Sequence, residues 1–475
     1  MDVQIGKFGN LLQRHLNDFR KKVPLYGNLW NYYDGDQPLV YSADRLREVF
    51  PNINADFTEN WAGVVVDAVL DRLILLGFEI VGDVNATDEM LRQFNLMRLD
   101  LLSQQVHLGM LVCGESFLVV TPQDSVPLED RTQWKGEEPA LYAFPHDPRS
   151  CSVLYSNRNP AVMVSALKWW VDEEDGYIRA EMYTVDSITY LKSTKKAESI
   201  QEIEKIAQLV VLGQEVNNLG IIPVLHFRRD LRRTLSELKN VIPLQDAINK
   251  LATDLLIAAE FAAFKQKWII SNADLDTLRT SPGEIWDLPA GDGFGGETKV
   301  GEFTETNLMN YIGPLERKIA SLATISRTPP HYFGGFKLEI SGEALKVLEG
   351  PLIRKAERIQ ASVRDIWRRI AQIVLAFSQG STPPLEDIDV TFGSAQATQP
   401  LYEATVLKTN REAGVPLVTQ LRTQGWSQKA IDQLAADQRA EQASAAAVAA
   451  TLIQQQRTSF DRGTSPGSHP AVDEE

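Results

Sequence analysis

Cysteine is almost absent. Cys113 and Cys151 are the two in 475 residues, too few for a disulfide framework or a cysteine zinc cluster. That usage fits a reducing compartment, and both are expected to be buried thiols. Long apolar runs are missing too, since none reaches the ~18 residues of a membrane-spanning helix. The opening "MDVQIGKFGNLLQRHLNDFRKK" scatters charges where a secretory signal carries an apolar block. No signal peptide and no membrane partner are therefore expected, and the protein is read as soluble and intracellular when made. Positive charge is in deficit, with 48 Lys and Arg against 63 Asp and Glu and a formal net charge of -15. A general, tight grip on nucleic acid is disfavoured, because such a grip neutralises phosphates with cations.

Recognisable catalytic motifs are lacking as well. The six histidines, at 15, 107, 146, 226, 331 and 469, show neither H-x-x-x-H nor H-x-H spacing, so no metal site is expected. "GDGFGG" (291–296) matches G-x-G-x-x-G, but the strand-like "ETKVGEF" follows where a helix should open, and Asp292 and Glu297 would repel phosphate. It reads as an exposed turn. Gly334, Gly335 and Lys337 lack the G-K-[ST] order of a phosphate loop. Ser116 in "CGESFLVV" lacks the second glycine of a nucleophile elbow. No catalytic residue and no cofactor are expected.

What is present is a sequence of period changes. A hydrophobic content of 44% allows substantial cores and roughly two to four structural units. Short helices are expected at 8–22 and 42–50, separated by "LWNYYDGDQPLVY". Thr58 is a candidate cap for a helix in which Trp61, Val65, Ala68, Val69, Arg72 and Leu76 keep helical spacing until Gly77. Another helix is expected over about 87–112, opening at Thr87-Asp88-Glu89. From Glu115 to Arg229 the period becomes that of strands, with a hairpin tip at Asp175-Gly176. Helical period returns after Ser236 in "SELKNVIPLQDAINKLATDLLIAAEFAAFKQKW", where Leu244, Ile248, Leu251, Leu255, Ala258 and Ala262 make one stripe. Short Gly/Pro-punctuated pieces fill 268–303, and a helix follows over about 304–326.

The loop "TPPHYFGGFKLEIS" then leads into the longest helix. Ser341 is its candidate cap, and Leu345, Leu348, Leu352, Ile359, Val363, Ile366, Ile370 and Val374 mark its buried stripe. Gly350-Pro351 sits inside that stripe, which predicts one kinked helix. Short helices are expected near 398–412 and 427–440, and 441–475 has little to bury. Three features ask for a function. Asp246, Asp254 and Glu260 share an alanine-rich helix. Arg354, Lys355, Arg358, Arg364, Arg368 and Arg369 crowd another. The loop 328–342 hangs between two helices with nothing catalytic in it.

The order of these parts resembles the portal proteins of tailed bacteriophages with long non-contractile tails, over about residues 25–440. Its most specific stretches are "YYDGDQPL", "NWAGVVVDAVLDRLILLGF", "GESFLVV", "VIPLQDAINKLATDLLIAAEF" and "ISGEALKVLEGPLIRKAERIQ". The resemblance implies an α+β portal fold in a homo-oligomeric ring of about twelve copies, joined by heterologous contacts. It implies a wing (1–235 and 343–395, the latter with the long kinked helix), stem helices (236–265 and 304–327), a clip (266–303) and a crown (396–445), while composition alone makes 446–475 a mobile tail. It implies that 328–342 is a tunnel loop, with His331, Tyr332, Phe333, Gly334, Gly335, Phe336 and Lys337 around passing double-stranded DNA. Asp246, Lys250 and Asp254 would line the channel, and Arg354, Arg358, Arg364 and Arg368 would lie in subunit contacts. Implied partners are the terminase large subunit, a head-tail adaptor, and the major capsid and scaffold proteins. The implied location is one vertex of the virion, with the host cytoplasm during assembly. The competing readings are a packaging nuclease or ATPase and another head protein.

Overall fold

The computed structural model describes residues 2–37, 59–123, 138–197, 209–217, 219–230, 234–263, 267–270, 299–302, 307–334, 342–396, 408–423, 431, 434–436 and 438–439. The chain divides into two units, Met1–Val390 and Thr391–Glu475.

The first unit opens with α1 (Asp2–Asp34), longer than the helix expected at 8–22. "LWNYYD" continues the helix until Gly35, whose φ of +89° ends it. The reason is a buried stripe that does not stop at residue 22. Leu16, Phe19, Val23, Tyr26, Leu29 and Tyr32 are all buried, at spacings of three or four. The helix expected at 42–50 and the Thr58 cap lie outside the described residues. α2 (Trp61–Leu70) is capped by Asn60, whose side chain accepts from the Gly63 amide. Helical spacing was expected to run to Gly77, but β1 (Leu75–Ile80) takes over. Leu73 and Leu75 are buried while Ile74 and Leu76 are exposed, which is a strand's period of two.

The helix expected over 87–112 is two, α3 (Val84–Leu96) and α4 (Leu99–Cys113). Asp83, four residues upstream of the expected start, caps α3 by accepting from Ala86 N at 2.9 Å. The break falls at Arg98, with φ 53°. Nothing in its residue type announces a left-handed position, which only glycine and asparagine commonly take.

The described residues between 115 and 229 are mostly strands, as their period implies. β2 (Glu115–Pro122) is central to a three-stranded antiparallel sheet in the order β3-β2-β9, with β3 at Leu141–His146 and β9 at Val224–Arg228. β4 (Cys151–Tyr155), β5 (Met163–Val171), β6 (Tyr177–Tyr183), β7 (Ser187–Lys196) and β8 (Leu209–Val216) form a five-stranded meander. Gly176, φ +70°, turns the β5–β6 hairpin. α1 lies across this meander, where Leu16, Phe19 and Val23 pack on Leu167, Trp169, Ile178 and Met182. The Phe19 and Trp169 rings meet edge-on at 6.0 Å. Phe117 and Val119 of β2 share a second core with Cys151, Val153, Ala166 and Tyr183. Both cysteines are buried and free.

A buried polar line runs beside the α1 stripe. His15 bonds Ser152 at 3.1 Å and Ser165 at 2.9 Å. Lys22 reaches both Asp18 (2.6 Å) and Glu115 (2.5 Å). Tyr26 donates to Glu115 at 2.8 Å, and His226 Nε2 is 3.0 Å from the same carboxylate. Burial pushes Glu115 up, but Lys22 and His226 outweigh it and hold the carboxyl well below its ordinary range. A buried charge persists only when so surrounded.

After the 3-10 turn Glu237–Asn240, α5 (Ile242–Ala263) packs on α6 (Met309–Ser326). Beyond them β10 (Lys267–Ile270) and β11 (Lys299–Glu302) pair antiparallel, with Trp268 opposite Gly301. A Cβ on Gly301 would stand 2.5 Å from the Trp268 ring, so a larger residue at this rung would displace that ring. "GDGFGG" lies outside the described residues.

α7 (Gly342–Ser378) runs as one helix through Pro351. Its expected stripe is buried from Leu352 to Val374, except that Ile366 is half-buried. Its largest fully buried side chain is Trp367, which the expected stripe omits and which lies among Phe78, Phe227 and His107. His107 accepts from Trp367 Nε1 at 3.1 Å and donates through Nδ1 to the Leu73 carbonyl at 2.9 Å. Burial lowers this neutral ring's pKa to about 4. β12 (Ile388–Phe392) pairs with β1. In the second unit, residues 408–412 are helical, Gly414 (φ +82°) ends them, and α8 (Leu417–Thr423) follows. The sequence reading did not expect α8, and most of 398–412 and 427–440 lies outside the described residues.

Candidate functional site

The loop between α6 and α7 is held at its start. α6 closes at Arg327 in the left-handed conformation, φ 60°, whose amide returns to Ala323 and Thr324 carbonyls. Thr328 N bonds the Ala323 carbonyl at 3.1 Å, and Ser326 donates to the Thr328 hydroxyl at 3.0 Å. Pro329 and Pro330 then fix the backbone of a 3-10 turn, Pro330–Phe333.

Each aromatic of the turn has its own setting. Phe333 is 2% exposed and packs on Trp61 of α2, ring centroids 5.5 Å apart. The expectation of Phe333 as a channel-facing aromatic is corrected here, since burial of its ring within its own chain leaves none of it to touch DNA. The Tyr332 hydroxyl accepts from Arg72 Nη2 at 2.9 Å. Arg72 also caps the Ala68 carbonyl at 2.8 Å and lies 3.6 Å from Glu349 of α7. His331 is exposed, its Nε2 3.7 Å from Glu349. Gly334, φ +61°, stands in open space. Gly335, Phe336 and Lys337 lie outside the described residues.

α2 is thus a hub. Its N-terminal amides, at Trp61 and Ala62, donate to Gln245 Oε1 of α5 at 3.0 and 3.1 Å. Its far end takes the α7 side chain Gln360, which donates to the Arg72 carbonyl at 2.7 Å. One ten-residue helix therefore touches α5, the loop and α7. A second tie lies nearby. Lys355 of α7 donates to the Ser326 carbonyl at the end of α6 (2.7 Å) and pairs with Glu237 before α5. Arg229 takes the other Glu237 oxygen. Burial lowers the Lys355 pKa while Glu237 works to raise it.

The remaining expected site residues divide. Asp246 accepts from Tyr32 of α1 at 2.6 Å, and burial raises its pKa. Lys250 and Asp254 pair at 2.5 Å one turn apart, so together they carry no net charge. Arg354 and Arg358 are exposed. Arg364 buries its Nε without a partner. Arg368 donates to the Ile388 carbonyl at 2.8 Å and pairs with Asp365 at 3.2 Å. Within its own chain the Arg368 guanidinium joins α7 to the start of β12. Sequence reasoning missed Trp61, Gln245, Glu349 and the Lys355–Glu237 pair as parts of this site. Two signals were readable, for Arg72 and Lys355 each sit on an otherwise apolar helical stripe.

These features define a class first: an α+β scaffold protein whose buried ion pairs and aromatic contacts fix backbone geometry around one loop. A family model described as "Phage portal protein, SPP1 Gp6-like" matches residues 12–444, and the chain belongs to that family. Membership makes it a phage portal protein, a component of the virion capsid. No curated protein gives a match. No helix among the described residues is long and apolar enough to cross a membrane.

Proposed function

We propose that the chain is one subunit of a ring, of about twelve copies, that forms the DNA channel at a single capsid vertex. Double-stranded DNA passes inward during packaging and outward during ejection. The terminase large subunit and a head-tail adaptor dock on the ring, and major capsid and scaffold proteins surround it. In this reading the wing is 1–235 with 343–395, the stem 236–265 with 304–327, the clip 266–303, the crown 396–445, and 446–475 a tail.

The observation that carries the reading is the anchored start of the 328–342 loop. Family membership supports a channel, and the Trp61–Phe333 and Arg72–Tyr332 contacts support a fixed base for a loop that would enter it. The part that meets DNA accordingly begins at Gly334, with Gly335, Phe336 and Lys337, and His331 beside it. The excess of acid also fits, because a wall that lets DNA slide must not bind phosphates tightly. Electron microscopy of the purified protein is expected to show flat rings with a central hole, and uniformly compact single chains would end the proposal. Phe336→Ala is expected to leave rings intact while lowering the DNA packaged per head, and normal packaging would remove Phe336 from the channel.

A further inference from the structure

Where the 3-10 turn Glu237–Asn240, the last turn of α6 and the middle of α7 meet, they leave an open cleft of about 510 Å³. Five cationic side chains line it, Arg229, Lys239, Arg327, Lys355 and Arg358, against the acids Asp230 and Glu237. Glu237 is already consumed, with one oxygen on Arg229 and the other on Lys355. Lys239, Arg327 and Arg358 are exposed, and no hydrogen bond or ion pair ties their side chains to a described residue. The rim is therefore positive on a chain whose formal net charge is -15.

Arg327 adds an independent sign. It is one of two non-glycine residues with positive φ among the described residues, at a helix end where glycine is the favoured type. A cation suits the negative end of a helix, but Lys355 already holds the Ser326 carbonyl there. An arginine kept at a glycine position points to work for its side chain. Beside it in the cleft wall, Ile325 is 52% exposed.

We propose that this cleft receives an acidic segment of a second copy of the chain, its carboxylates meeting Lys239, Arg327 and Arg358. The inference rests on the ring reading above and deepens it. A closed ring of identical copies joins a patch to a different patch on its neighbour, so a basic hollow on one copy calls for an acidic projection on the next. The chain has acids to spare, 63 against 48 bases. A cleft of about 510 Å³ has room for a single peptide segment. A peptide also covers Ile325, which a small inorganic anion does not.

The test compares three proteins by light scattering and thermal melting across a salt series. The triple reversal Lys239→Glu, Arg327→Glu, Arg358→Glu is expected to lower the assembled fraction at least roughly tenfold, since like charges facing across a contact oppose association. Its melting temperature as a single chain should stay that of the wild type. The neutral triple with Gln at the same positions is expected to assemble but fall apart at lower salt than the wild type, and it decides the matter should the reversal impair folding. A wild type that never assembles sinks the ring reading itself. Wild-type rings with both variants equally assembled and equally salt-resistant overturn the cleft proposal alone. Variants that form normal rings yet lose DNA binding in a mobility-shift assay would put nucleic acid in the cleft and overturn it too.

Discussion

Gly114 does two jobs that no other residue type can share. It ends α4 with φ +89°, and its missing side chain lets the chain pass against the backbone of Leu235 and Ser236. A Cβ there would stand 2.7 Å from Leu235 main-chain atoms, which cannot swing aside as a flexible side-chain tip can. The same crossing is pinned by Ser236 donating to the Val112 carbonyl at 2.5 Å. Gly114→Ala combines a disfavoured backbone conformation with a backbone clash, so a loss of about 3 kcal/mol or more in stability is expected. Urea unfolding checks it, and a loss below ~1 kcal/mol, the ordinary cost of a point change, would mean the crossing yields easily. "GESFLVV" was noticeable in the sequence as a stretch. Its reason, a crossing more than a hundred residues away in the chain, was not.

At the scale of elements, α2 connects parts distant in sequence, and the Trp61–Phe333 contact is its testable joint. Phe333→Ala is expected to cost about 3 kcal/mol as a buried aromatic, and Trp61→Ala, at a half-buried position, about 2 kcal/mol. The double variant should cost about 1 kcal/mol less than their sum, the usual coupling of an aromatic pair. Strict additivity in the double-mutant cycle would show that the rings do not support each other. Much of this scale was legible beforehand. The strand period of 115–229, the Asp175-Gly176 hairpin and the single long helix through Pro351 follow from local patterning, which neighbours alone dictate. The failures have local causes too. Arg98 breaks a continuous helical pattern from a conformation its residue type does not advertise. "LILLGFEI" offers apolar residues to both periods, and pairing with β12 decides for the strand. Phe333 looked like a loop aromatic free for contact because its partner lies 272 positions away, a separation that periodicity cannot bridge.

For the molecule as a whole, acid is the condition to watch. His15 and His107 are buried as neutral rings, their pKa values lowered by burial to about 3 and about 4. In the unfolded chain both take a proton as pH falls below about 6.5, while in the fold they do not. Their contribution to stability is therefore complete above that value and is lost as pH drops toward 4. Each histidine steepens the decline by about 1.4 kcal/mol per pH unit, so the pair gives roughly 3. Glu115, held low, loses its contribution only below the ordinary carboxylate range and does not offset this. Urea midpoints measured at pH 7, 6 and 5 should fall most between the last two, and a flat series would mean that the rings are not neutral. Finally, α1 has a consequence for biogenesis. His15 is bonded to Ser165, 150 residues later. At ribosomal speeds of about 5–20 residues per second, the first helix waits roughly 8–30 seconds before the strands that cover it exist. Throughout that interval Leu16, Phe19 and Val23 are bare, so a nascent chain of this protein is a natural client for chaperones that shield apolar helices at the tunnel exit.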